Sequence, residues 1–90
     1  MEHVDLSKMS LKQLAARAAD LKERHFTRAD SATAQEYYRV RIEQTERRVG
    51  ALLVDGASIN RVTKAERELA FQKAQHSFWS SQTVSEAVAA

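Results

Sequence analysis

Met9-Ser10-Leu11-Lys12-Gln13-Leu14-Ala15-Ala16-Arg17-Ala18-Ala19-Asp20-Leu21 is the stretch from which the fold is read. Ser10 and Gln13 stand at the capping-box spacing. The first side chain accepts a hydrogen bond from a first-turn N–H, and the second reaches back to the N–H of the cap. Met9, just before the cap, can pack on Leu14 as a hydrophobic staple. Behind this start, Leu11, Leu14, Ala15, Ala18, Leu21 and His25 recur at three- and four-residue steps. That is an apolar stripe of helical period, with Lys12, Arg17, Asp20, Lys22 and Glu23 off it. The pattern predicts a helix A over about residues 10–26. Its alanines at 15, 16, 18 and 19 combine high helix propensity with little bulk, so a neighbouring helix is expected to approach closely there.

The same box spacing recurs at Thr33/Glu36, Thr63/Glu66 and Thr83/Glu86, and no proline interrupts the chain. With 13 Ser/Thr and 14 Glu/Gln present, chance supplies roughly two such pairs, so the apolar periodicity behind each pair carries the argument. Helix B is expected over about 33–55, or from Thr27 if the polar segment before Thr33 is helical. Asp55-Gly56 ends it, because glycine takes the left-handed conformation that terminates helices. Its stripe is Tyr38, Ile42, Thr45, Val49 and Leu52, with Ala34 and Leu53 beside it, the heptad-like pattern of helices packed at a shallow angle. Gly50 costs this helix about 1 kcal/mol relative to alanine, and close approach of another backbone is the reason expected for it.

Helix C is expected over about 63–80, with Ile59 and Val62 of the preceding connection tucked under the hairpin. Projected at about 100° per residue, Val62, Ala65, Leu69, His76 and Trp79 gather on one side and Ala70, Phe71, Ala74 and Phe78 on another. A helix with two apolar faces can bury only one within a three-helix monomer. Residues 81–90 read as a flexible tail or, from the Thr83/Glu86 pair, a short fourth helix. The expected fold is all-α: an antiparallel helical hairpin with a third helix packed on it, a small three-helix bundle in one domain spanning residues 1–90.

Ninety residues with 43% hydrophobic content lie near the lower limit for a core that stands without disulfides, metal or a partner, so oligomerisation is an expectation. No cysteine is present, which removes disulfides and thiolate zinc sites and fits a reducing cytoplasm. Glu2 and Asp5 with no apolar run behind them argue against a secretion signal, and no stretch is apolar enough to span a membrane. A cytoplasmic location is expected. The 14 basic and 12 acidic residues are closely mixed, for a net charge of +2.

The sequence offers no catalytic constellation. His3, His25 and His76 fall in different elements, and a histidine on an apolar stripe is the ordinary half-buried packing residue. Metal-binding spacings such as Glu-x-x-His or an acidic calcium loop are absent, and two glycines make no phosphate-cradling loop. No enzyme activity, metal, cofactor or small-molecule substrate is expected. Two surface features remain. One is basic: Lys12, Arg17, Lys22, Arg24, Arg28, Arg39, Arg47 and Arg48 could meet nucleic-acid phosphates, although Glu36, Glu43 and Glu46 interleave with the helix B arginines. The other is the aromatic-rich side of helix C, where Phe71, Ala74, Phe78 and Trp79 form a protein interface; Phe78 and Trp79 point about 100° apart, so one face cannot take both. The leading expectation is a non-enzymatic interaction module that docks on a larger protein or on copies of itself, such as an adaptor, co-chaperone, inhibitor, antitoxin-like partner or phage or plasmid assembly factor. A nucleic-acid accessory protein is the alternative.

Residues Val4-Asp5-Leu6-Ser7-Lys8-Met9-Ser10-Leu11-Lys12-Gln13-Leu14 resemble the opening of the oligomerisation region in bacterial nucleoid-structuring proteins. That family's glycine- and arginine-containing DNA-binding segment has no counterpart in the C-terminal half. The function of the family is therefore not carried across.

Overall fold

A computed structural model describes residues 5–28 and 30–89, with the side chains of 27, 28 and 83–89 left aside. It is a small three-helix bundle. A 3-10 turn, Leu6–Lys8, leads into α1 (Leu11–Arg28), α2 (Ser31–Val54) and α3 (Ile59–Ala89), and the described residues include no strand. α3, at about 1.5 Å per residue, spans roughly 46 Å, and the molecule is elongated to match, 49 × 23 × 22 Å.

α1 starts as its sequence predicts. The Ser10 Oγ accepts from the Gln13 N–H at 3.1 Å and the Gln13 Oε1 accepts from the Ser10 N–H at 2.8 Å, a closed capping box. Met9 packs, as a staple would, on the cluster that holds Leu14. The other two boxes that can be checked do not form. α2 begins at Ser31 because Asp30 is the cap: its carboxylate accepts from the Thr33 N–H at 2.7 Å and from the Thr33 hydroxyl at 2.8 Å. A carboxylate at a helix N-terminus adds the attraction of the helix dipole to the hydrogen bond, so Asp30 outcompetes Thr33. α3 likewise begins before Thr63. Ser58 caps it, accepting from the Arg61 N–H at 3.4 Å, while its carbonyl takes the Val62 N–H at 3.1 Å.

α2 stops in a complete Schellman motif. The Gly56 N–H reaches the Leu53 carbonyl at 3.2 Å and the Ala57 N–H reaches the Leu52 carbonyl at 2.9 Å, with Gly56 at φ +68°. This geometry requires a left-handed residue, which glycine supplies without steric cost. At the far end, α3 continues unbroken through Ser80 and Ser81 to Ala89. The expected end near residue 80 and the separate fourth helix are corrected accordingly: serines weaken a helix without stopping it, and neither proline nor glycine follows Gly56. The side chains of Thr83 and Glu86 lie outside the described residues.

α2 is the central helix, packing on α1 along one side and on α3 along another. Leu6, Leu14, Ala18, Leu21 and Val40 form the core of the α1 side, with Met9 and Tyr37 against it. Ala34, Thr45, Val62, Ala65 and Gln72 are the buried residues toward the α3 side. Four expectations change here. Val40, outside the expected stripe, is fully buried, because α2 has two seams instead of one. Of the four alanines on α1 only Ala18 is buried, and Leu11 and Leu53 are exposed. Val62 is tucked in, but Ile59 is 80% exposed, since it occupies the first turn of α3 on its outer side. Gly50 is solvent-facing, and a Cβ there would meet nothing within 4 Å, so close backbone approach is not its reason.

Candidate interaction surfaces

The inner face of α3 is taken up by α2, and among the described residues nothing covers its outer face. Phe71 is 57% exposed and Phe78 48% exposed. They lie two helical turns apart, with exposed Ala74 between them, on one stripe. Trp79 belongs elsewhere. Half-buried, its ring meets that of His25 edge-on at 5.5 Å and that of Phe78 at 5.1 Å, bringing the end of α1 to α3. Of the four residues expected at the interface, three share the outer face and Trp79 turns inward.

His25 is the hub of that inner cluster. Its ring lies 6.3 Å from Tyr37, nearly parallel, and 6.5 Å from Tyr38, edge-on. Burial, with the neighbouring Tyr37 phenol, raises the pKa of Tyr38. His76 is half-buried on the inner side of α3. His25 Nδ1, His76 Nε2, Gln72 Oε1 and Arg17 Nε are buried without a hydrogen-bond partner. Among the described residues no three of His, Asp or Glu are placed to hold a metal ion. No described helix is long and apolar enough to cross a membrane.

The basic residues expected to contact phosphates do not share a face. Arg17 of α1 and Arg39 of α2 converge on Glu36, at 3.2 Å and 2.8 Å. Arg24 pairs with Asp20 at 2.9 Å. Arg47 pairs with Glu43 at 3.3 Å and also clasps the N-terminal segment, donating to the carbonyls of Met9 at 2.6 Å, Leu6 at 2.9 Å and Ser7 at 3.2 Å. Arg48 is bonded to Glu68, which also accepts from Arg41 at 3.3 Å. Lys12 is exposed, and the Lys22 ammonium sits 5.9 Å over the Phe26 ring. The side chain of Arg28 lies outside the described residues. Most of the arginine charge is therefore spent within the fold, the clasp by Arg47 having no signal in the sequence beyond its i,i+4 partner Glu43.

Glu36 reports this neutralisation. Burial pushes its carboxyl up, but the hydrogen bonds and charges of Arg39 and Arg17 outweigh that effect and hold it below the ordinary value of 4.5. A carboxyl whose folded pKa is depressed stabilises the fold fully above its unfolded value and loses that contribution as pH falls through the folded value. Glu36→Gln is accordingly expected to lower stability at neutral pH and to flatten the acid limb of the stability curve below about pH 4.5. Urea titrations at a series of pH values check this; parallel acid limbs in the two proteins would count against it.

Comparison of the chain with protein-family models, with curated proteins and with solved structures finds no match.

Proposed function

We propose that this protein is a small non-enzymatic interaction module that associates with a second copy of itself through the outer face of α3. The observation that carries the reading is the pair Phe71 and Phe78, exposed on one stripe of a helix whose other side is already packed. Three features favour a second copy as the occupant. The core is meagre: the buried hydrophobic residues among those described are eight, three of them alanine. A domain of this size gains most from further apolar burial. Ala70, Phe71, Ala74, Ser77, Phe78 and Ser81 carry no charge, and the charges flanking them on this side, Lys64 and Arg67, lie at one end only. It is also self-complementary, since an antiparallel pairing about a two-fold axis near Ala74 sets Phe71 opposite the partner's Phe78, with small side chains where the helices cross.

Magnitudes place the expected affinity. Two half-exposed phenylalanines offer about 200 Å² per copy and about 400 Å² per pair, roughly 10 kcal/mol of gross burial. Association costs about 4–15 kcal/mol, which leaves at most about 6 kcal/mol, so a weak dimer with a Kd of tens of micromolar or higher is expected. Sedimentation equilibrium from about 10 µM to about 1 mM tests the reading. The wild type should shift from monomer to dimer, and Phe71→Asp/Phe78→Asp should remain monomeric with helical circular dichroism intact. Trp79→Asp, by contrast, should lose helicity along with association, because the ring lies in the inner cluster. A wild type monomeric throughout, or a dimer indifferent to the double substitution, overturns the proposal. The alternative phosphate-binding reading is less favoured, because Arg17, Arg24, Arg39, Arg47 and Arg48 already have carboxylate partners.

A further inference from the structure

A second surface lies between α1 and α3, over the side of α2 that neither covers. Tyr37, Arg41, Gln44, Arg48 and Leu52 follow one another at steps of four and three along α2, which makes them a single stripe. Toward α1 this stripe borders a hollow of about 320 Å³, walled by Ala15, Ala18, Ala19 and Lys22. Toward α3 it borders one of about 480 Å³, walled by Arg61, Lys64, Ala65 and Glu68. Arg41 lines the first and donates to Glu68, which lines the second, so the two hollows adjoin along the stripe, which we read as one groove. Between Tyr37 and Leu52 the groove is about 22 Å long, the length of a fifteen-residue helix.

Its two walls differ in chemistry. Apart from Lys22, the α1 wall is small and apolar: Ala15 and Ala19 are exposed, and the same helical stripe continues to the exposed Leu11 and Phe26 at either end. Side chains of that size let another helix backbone come close. The floor and the α3 wall are cationic. Lys22, Arg41, Arg48, Arg61 and Lys64 face one carboxylate, that of Glu68, which leaves a net charge of +4 among the groove's lining residues. We propose that the groove receives an acidic amphipathic helix of a partner protein, its apolar side against the α1 wall and its carboxylates toward Arg61 and Lys64, completing a four-helix arrangement. Overall charge disfavours a second copy in this place. Each helix of this chain carries more basic than acidic residues, five against two in α1 and four against three in both α2 and α3. The exposed Leu11, Ala15, Ala19 and Phe26 beside Lys22 disfavour nucleic acid, since they offer no donor to a phosphate. The proposal does not rest on the dimer contact, although Lys64 stands two turns before Phe71 on the same side of α3.

The test uses the full chain and labelled synthetic peptides of about fifteen residues, long enough to fill the groove. One is amphipathic, with a Leu/Ala stripe flanked by Glu; the second is its scramble; the third replaces Glu by Lys. A DNA duplex is the fourth probe. The acidic amphipathic peptide should bind, weaken with added salt, and bind at least about tenfold more weakly to Arg61→Glu/Lys64→Glu, whose altered residues are exposed rim charges. Phe78→Asp alone, about 21 Å along α3 from Lys64, should bind it as the wild type does, which separates this site from the dimer face. Equal binding of the scramble, wild-type binding by the charge-reversed variant, no binding of the acidic peptide, or preference for DNA each overturns the proposal.

Discussion

Leu14→Ala is expected to remove about 3–4 kcal/mol of stability, the range for truncating a leucine enclosed on all sides. Leu14 has no exposed surface and sits among Leu6, Ala18, Leu21 and Val40. A domain of this length holds about 5–13 kcal/mol in total, and a core with so few large side chains belongs toward the lower end. The substitution therefore takes away half the margin or more. Little can move in to refill the space, because the neighbouring Ala18 is already minimal and Val40 is anchored on α2. Urea denaturation read by circular dichroism should show the midpoint falling sharply with the slope retained. Leu11→Ala, three residues earlier on the same helix but 60% exposed, should change stability by less than about 0.5 kcal/mol. A loss below about 1 kcal/mol for Leu14→Ala would mean that the 3-10 segment collapses into the space and that the α1 seam is not a fixed core.

Arg47→Ala is the second large effect, expected at about 2–3 kcal/mol. The Arg47 guanidinium gathers the carbonyls of Leu6, Ser7 and Met9 while Glu43 holds it from the same helix. Hydrogen bonds to a charged group contribute about 1.5–3 kcal/mol each, and three that share one guanidinium still 28% exposed realise only part of their sum. Without the clasp, the segment carrying buried Leu6 has only its own apolar contacts to hold it on the bundle. Hydrogen exchange should then accelerate at Lys8 and Met9, whose N–H groups close the 3-10 turn. Arg47→Lys should behave nearly like the alanine variant, because a single ammonium cannot reproduce a planar fork that reaches three carbonyls. Full protection of Lys8 and Met9 in Arg47→Ala would show that Leu6 burial alone docks the segment.

These two residues differ in how far the sequence exposes them. Leu14 is legible at once: it stands at the staple position behind a capping box and on the apolar stripe of helix A. The role of Arg47 is not, because it joins residues some forty positions apart and resembles any other i,i+4 partner of a glutamate. Val40 and Gln72 show the same limit from the core side. A stripe reading of α2 assumes one packed face, and Val40 lies off that face. Gln72 is polar yet buried on the inner side of α3, where periodicity of hydrophobic residues passes over it. The exposed pair Phe71 and Phe78, by contrast, follows from phase alone, since residues seven apart must share a side of a helix.

What the sequence by itself determined is therefore local. It set three helices, the closed cap at Ser10, the stop at Gly56 and the two-sided character of α3, because hydrogen bonds within a turn and the 3.6-residue period depend only on near neighbours. Tertiary structure decided which helix is central, and with that everything that depends on two seams: the burial of Val40, the inward turn of Trp79 toward His25, the pairing of Arg17 and Arg39 through Glu36, and the cationic groove left between α1 and α3. Caps were divided between the two. Asp30 displaced Thr33 from within one turn and Ser58 displaced Thr63 from five residues upstream, because cap-forming side chains lay close together and their energies differ by less than a spacing rule resolves.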